Sequence, residues 1–262
     1  MANKTWGIFW GVLILACSGW GGGGEEQATA AAREEMLRTA PIITIAKQES
    51  RGRTSAWIVY LNEGEKAARA IFKYVNRPRP KNLPSSYRYE LAAYELSALL
   101  GLELVPPTVE RTIEGRPGSL QCYCENVMSE ASRRRKKLVP PDLSLLQNAF
   151  SEMSLFENLT NTPREDASDI LISTQNWRLW RVDFSESFAP DRALLPDSLF
   201  PRCSRKLYQR LRETPDTEFE RRLAAYLNKD ELDSLLHRKR LALDTLERLI
   251  REKGEAAVLF EP

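Results

Sequence analysis

A single histidine, His237, stands in a chain of 262 residues. With one imidazole and no Cys/His run at ligand spacing, the sequence shows no zinc-ligand pattern. A Ser-His-Asp hydrolase would have to recruit that lone side chain. Cysteine is scarce too: Cys17, Cys122, Cys124 and Cys203 are the four. Charge is nearly balanced, 38 basic against 36 acidic residues for a net +2, which gives no ground for non-specific binding to nucleic acid. The apolar stretch "TWGIFWGVLILA", Thr5 to Ala16, is too short to cross a bilayer comfortably, since a span takes about 20 residues. What is present is ordinary for a soluble protein, 42% hydrophobic and 28% charged residues. That suits one domain of two lobes or two small domains.

The first residues stand apart from the fold. "MANK" supplies a positive start, the apolar stretch follows, and "LILAC" runs into the glycine-rich "SGWGGGGEEQ". This order resembles a bacterial lipoprotein signal, with Leu15 a slightly bulky variant of the pattern. The resemblance implies a signal over residues 1–17 and an acylated Cys17, followed by a flexible tether over residues 18–40. Several acyl chains, at about 0.8 kcal/mol per buried methylene, would then hold an exported protein on a membrane. An uncleaved anchor or a plain secretory signal are the alternatives, and each still implies export. Outside the cytosol disulfides persist. Cys122 and Cys124, two apart on an expected strand, share a face where a mutual bridge would be strained. Cys203 has either as a possible partner, and the pairing stays open.

From Pro41 onward the pattern is strand-rich. "IITIA", "AWIVYL" and "ARAIFKYV" form three strands of a meander, the first two joined by a polar loop containing Gly52. After a proline-broken connection, Ser85 or Ser86 is placed to cap the helix "YRYELAAYELSALLG". Ala92, Leu96, Leu99 and Leu100 mark one buried face of that helix, and Gly101 its end. A strand and a hairpin turning at "EGRPG" come next. The basic run Arg133–Lys137 is expected to be a solvated linker, with docking to an acidic partner as the other possibility. Beyond it, "DILIS" and "WRLWRVD" form a short strand pair, and most of the rest is helical. In the last long helix Asn228 and Glu231 stand at capping-box spacing, with Gly254 at the end. The expected class is therefore α+β, with a sheet-rich half and one helix over residues 41–126 and a mostly helical half over 127–262.

That layout is the one protein-kinase-like folds use, and four positions fall where such folds keep their nucleotide chemistry. Lys73 lies on the third strand after the glycine-containing loop, and Glu90 lies in the one helix packed on the sheet. "GSLQCYCEN" ends where a hinge belongs, and Asp183 closes the strand pair. Phosphoryl transfer from ATP needs a cation on the phosphates and carboxylates that hold Mg²⁺. The segments "RAIFKYV", "SYRYELAAYELSALLGLELVPPTVERTIEGRPGSLQ" and "NWRLWRVDFSESF" resemble bacterial relatives of the phosphatidylinositol 3- and 4-kinase catalytic domain. That group is akin to HipA-type and secretory-pathway kinases, and the resemblance runs from about Ile42 to Leu259. It implies Lys73 as the ATP phosphate contact, Glu90 as its partner, Asp183 as a magnesium ligand, and Gly52 in the loop over the phosphates.

The same resemblance exposes departures. Asp169 takes the place of the asparagine that holds a second metal, which still permits metal binding. Five positions earlier stands Arg164, which cannot accept a proton at neutral pH. Asp166 is then the candidate base, provided the loop is rearranged. Ser185 replaces the glycine expected after Asp183-Phe184. Two expectations result: a divergent phosphotransferase acting on a protein or small hydroxyl compound, or an inactive pseudokinase serving as a membrane-tethered binding module for an unknown protein partner.

Overall fold

The computed structural model describes residues 23–47, 56–64, 66–77, 84–162, 166–195 and 200–261. Cys17, Gly52 and Arg164 lie outside these residues, so the expectations for the signal segment and the phosphate loop fall outside them too.

The described residues open with helix α1 (Gly23–Thr39). Three strands follow: β1 (Ile42–Lys47), β2 (Ala56–Glu63) and β3 (Lys66–Lys73). The two-residue strands β4 (Asn76–Arg77) and β5 (Ser85–Ser86) pair with each other just before helix α2 (Tyr87–Leu100). Strands β6 (Thr108–Ile113) and β7 (Arg116–Cys122) complete an antiparallel sheet of order β1-β2-β3-β7-β6. The β6–β7 turn is two residues, Glu114 and Gly115, both at positive φ (50° and 73°), the backbone that matches strand twist in a tight hairpin. The period of two sends Trp57, Val59, Leu61, Ala70, Phe72, Val109 and Leu120 to one face, where they form a core of their own. Lys73, one residue beyond Phe72, therefore points from the opposite face.

Residues 23–39 correct the expectation of a flexible tether. They form α1, whose fully buried Leu37 joins the sheet core. Arg111 of β6 anchors the helix end by donating to the carbonyls of Leu37 (2.7 Å) and Ala40 (2.8 Å). The alanines and Met36-Leu37 supply helix propensity and an apolar contact that the glycines upstream lack.

The second half contains strand β8 (Val127–Ser129), helices α3 (Glu130–Lys136) and α4 (Leu143–Thr160), and a single 3₁₀ turn at Ala167–Asp169. Strands β9 (Ile170–Ser173) and β10 (Leu179–Arg181) pair antiparallel, with β8 on the far side of β9. The expected basic linker is thus the C-terminal half of a short helix; Arg133 and Arg134 pair with the buried Glu130 at 2.5 and 2.6 Å. The chain ends with β11 (Cys203–Ser204), α5 (Arg205–Glu213), α6 (Asp216–Leu223), α7 (Lys229–Lys253), α8 (Glu255–Val258) and β12 (Leu259–Phe260). The Asn228–Glu231 capping box is formed at the start of α7. Among the described residues no helix is long and apolar enough to cross a membrane.

Helix α2 departs from the expected single apolar face. Tyr87, Tyr89, Glu90, Leu91, Ala92, Ala93, Tyr94, Leu96, Ser97 and Leu100 are all buried, because the helix is enclosed by both halves. Tyr89, Ala92, Ala93, Tyr94, Leu96 and Leu100 belong to the large core of the helical half, together with α4, α5, α6 and α7, and not to the sheet core. Polar contacts fix it there as well. The Tyr89 hydroxyl donates to Glu231 of α7 at 2.5 Å, and Arg222 of α6 reaches Glu95 at 2.6 Å. The three described cysteines are free thiols. Strand β7 ends at Cys122, so Cys124 lies in the connection and not beside it on a strand. Burial raises the thiol pKa to about 11 for Cys122 and about 12 for Cys124 and Cys203.

Gly118 shows how tightly β7 crosses β3. A Cβ there would lie 2.4 Å from the Lys73 carbonyl oxygen and 2.5 Å from the Phe72 ring. Gly118→Ala is therefore expected to cost about 1–3 kcal/mol by overpacking, read from urea unfolding. An unchanged midpoint would show that the two strands can separate without loss.

Candidate functional site

Three segments distant in sequence meet at the end of β3. The strand delivers Lys73 at its last position. The Ser86 hydroxyl accepts from the Arg88 amide at 3.2 Å, starting α2 so that Glu90 falls in its first turn, 2% exposed. The third segment follows β10, where Asp183 takes the left-handed conformation at φ 64°. That backbone is costly for a residue with a side chain, by about 1–3 kcal/mol, and persists only where its surroundings hold it.

Lys73 Nζ donates to Glu90 Oε1 at 2.6 Å, to Asp183 Oδ1 at 2.8 Å and to Ser185 Oγ at 3.3 Å. Glu90 Oε1 also accepts from the Phe184 amide at 3.1 Å and lies 2.7 Å from Ser185 Oγ. The Ser185 hydroxyl is 3.0 Å from Asp183 Oδ1; with one proton, it serves one of the two acids at a time. One buried carboxylate oxygen thus ties the strand cation to the segment that carries Asp183. Burial by itself would lower the Lys73 pKa, but Glu90 and Asp183 outweigh it and hold the ammonium firmly charged. The Asp183 side chain is 46% exposed; its partial desolvation pushes the carboxyl up, and the Lys73 charge overrides this, so it titrates below its ordinary range.

Asp169 and Asp166 stand at the 3₁₀ turn on the other side of Asp183. The Val182 amide donates to the Asp169 carbonyl at 3.0 Å, which fixes the turn against the segment leading to Asp183. Burial, then the neighbouring charges of Asp183 and Asp166, raise the Asp169 pKa to about 6, with Arg181 and Lys73 opposing. Asp166 is exposed and accepts from the Ser168 amide at 2.7 Å, a bond that lowers its pKa. Among the described residues, no three His, Cys, Asp or Glu side chains are grouped closely enough to hold a metal by themselves.

Lys73, Glu90 and Asp183 are in direct contact, whereas Asp166 and Asp169 reach the cluster through charge. Arg181 and Glu157 were not singled out in the sequence. Arg181 Nε donates to Glu157 Oε1 at 3.1 Å deep in the core, while its Nη1 lies 3.7 Å from Asp169 Oδ2 and donates to the Val182 carbonyl. It holds the backbone just before Asp183. The signal was present in "LWRVD": Arg181 has the same strand parity as the buried Leu179, so it had to point inward.

An antiparallel five-stranded sheet with one enclosed helix, joined through a short connection to a helical half, defines a protein-kinase-like fold, with the acid and cation cluster at the junction. A solved structure with this architecture is the proinflammatory kinase CtkA of Helicobacter pylori. It is similar to this chain at a TM-score of 0.56 and 10% identity, over 83% of this chain and 98% of that one. No protein-family model matches the chain, and neither does any curated protein.

Two outcomes follow from the charges. Lys73→Met strands a carboxylate that is 2% exposed, so a loss of about 3–5 kcal/mol is expected in equilibrium unfolding. Adding Glu90→Gln should restore most of it, and a double variant no more stable than the single would contradict a buried charge pair. For Asp169 the folded pKa lies above the unfolded value of about 3.9, so its contribution to stability is lost as pH rises through about 6. In metal-free buffer Asp169→Asn should be more stable than wild type by up to about 2 kcal/mol at pH 8, with the gain fading by pH 4. A gain independent of pH would refute the shift.

Proposed function

We propose that the junction binds ATP with Mg²⁺, and that the chain is a divergent phosphotransferase of the kinase-like group it resembles in sequence. The observation that carries this reading is the meeting of Lys73, Glu90 and Asp183, from positions 17 and 110 residues apart, around one ammonium. A charged amine that Glu90 keeps in place would contact phosphate oxygens by exchanging its Asp183 or Ser185 bond. Glu90, fixed by the Phe184 amide, orients Lys73 without being able to swing away.

Asp183 and Asp169 supply hard carboxylate oxygens. This donor set suits Mg²⁺, which takes one or two carboxylates and completes its shell with water and phosphate. The crowding that raises Asp169 is what a divalent cation would relieve. When bound, the ion neutralises charge on the transferring phosphoryl group. Asp166 is exposed and ionised three residues before Asp169, suited to accept the proton of a protein or small-molecule hydroxyl. Gly52 belongs to the loop proposed over the phosphates, and Cys17 remains the proposed lipid anchor of an exported, envelope-bound protein.

A second reading, a pseudokinase used as a binding module, is favoured by Ser185. Where the kinase pattern has a glycine, a hydroxyl is bonded into the Glu90–Asp183 pair and stiffens a segment that such kinases keep free.

Thermal stability of the full chain with ATP and Mg²⁺ tests the common core of both readings. Saturation at about 100 times the dissociation constant should add about 2.7 kcal/mol. The shift should vanish in the Lys73→Met/Glu90→Gln double variant. No shift in wild type would end the nucleotide proposal. With binding present, transfer of labelled phosphate that falls about 10²–10⁴-fold in Asp166→Asn identifies Asp166 as the base. Binding with no transfer assigns the pseudokinase.

A further inference from the structure

Of the five large apolar side chains exposed among the described residues, four lie within eight positions: Leu138 (40%), Val139 (67%), Leu143 (50%) and Leu145 (65%). They follow directly on the basic end of α3, where Arg134, Arg135, Lys136 and Lys137 are all exposed. Arg133 and Arg134 share the buried Glu130, so that acid neutralises the inner part of the run and not its outer end. The one acid between residues 131 and 145 is Asp142, and its carboxylate is engaged in capping α4, accepting from the Ser144 amide at 2.8 Å and its hydroxyl at 2.6 Å. The corner is held in shape as well. Lys137 ends α3 in the left-handed conformation at φ 53°, and Arg133 donates to the Leu138 carbonyl at 2.7 Å.

We infer that this α3–α4 corner is a peripheral docking surface for an anionic phospholipid bilayer. A bilayer of that kind offers a negative surface with an apolar layer directly beneath it. The corner presents the matching pair: cations at a helix end and aliphatic side chains on the adjoining linker. A protein partner would be expected to meet aromatic or arginine anchors seated in pockets. Here the exposed apolar groups are all aliphatic; Leu145 edges a cavity together with Pro140 and Pro141, whereas Leu138, Val139 and Leu143 stand outside it. Helix α3 packs on the turn that carries Asp166 and Asp169, so docking would bring the candidate site close to the lipid surface. The inference stands independently of nucleotide binding and of Cys17.

A benzoylphenylalanine photocrosslinker placed at Val139 of the full chain reads contact with lipid directly, whatever the N-terminus does. A second protein carries it at Ile43, the exposed apolar residue outside the corner. On vesicles containing phosphatidylglycerol the Val139 position should give several-fold more lipid adduct than on pure phosphatidylcholine, and the Ile43 position should not. Arg135→Glu/Lys136→Glu/Lys137→Glu should return the Val139 yield to the phosphatidylcholine level, each cation removed weakening binding about fivefold. High salt should act in the same direction, and circular dichroism checks that the variant is folded. Equal adduct yields on the two vesicle types, or at the two positions, overturn the inference. So does tight binding of polyglutamate with no lipid adduct at Val139, which would assign the corner to an acidic protein.

Discussion

A buried carboxylate that stays ionised needs a compensating charge or donors, and here the cation comes from another element of the same half. Glu90 on α2 is 2% exposed and Lys73 on β3 is its partner at 2.6 Å. The lysine is shared with Asp183, and the same Glu90 oxygen accepts from the Phe184 amide. Removing Lys73 leaves Glu90 buried without its cation, a cost several times the value of a surface ion pair. The sheet, the helix and the segment after β10 are thus positioned by one electrostatic requirement before any ligand is considered.

Packing reinforces that requirement from an unexpected side. In sequence α2 belongs to the strand-rich half, but its apolar residues pack into the core of the helical half. Tyr89 stacks obliquely on Phe188 with ring centroids 6.0 Å apart, and its hydroxyl is bonded to Glu231. Tyr87 at the start of the same helix donates to Glu110 of β6 at 3.0 Å, so the helix that carries Glu90 is held by the sheet as well. The contacts that hold the candidate site are among those that fold the domain.

The departures from kinase pattern also have a physical logic. Ser185 puts a hydroxyl where conformational freedom is expected and joins both acids. Burial, with Asp183 and Asp166 nearby, raises the Asp169 pKa to about 6. Together these put several acids around the Lys73 ammonium. On the outside, charge and apolar surface are concentrated at the α3–α4 corner, so the two unusual surfaces of the molecule lie on neighbouring elements.

Much of this was legible in the residue order. Alternation placed Phe72 inside and Lys73 on the other face; Ser86, Gly101, Asn228 and Gly254 marked helix ends; and "VDFS" marked the acid after the strand pair. These are local signals, set by backbone period and capping chemistry. The sequence left three things undecided, and each depends on contacts between distant segments. Residues 23–39 dock as a helix because Arg111, far along the chain, accepts the task of binding their last carbonyls. Helix α2 is buried nearly all round because a second core, from the other half, closes over it. And Arg181, an ordinary strand arginine by composition, becomes the support of Asp183 only because Glu157 waits inside to neutralise it. Periodicity identifies which side of an element is apolar; what covers that side, and which charges meet there, is decided by the tertiary structure.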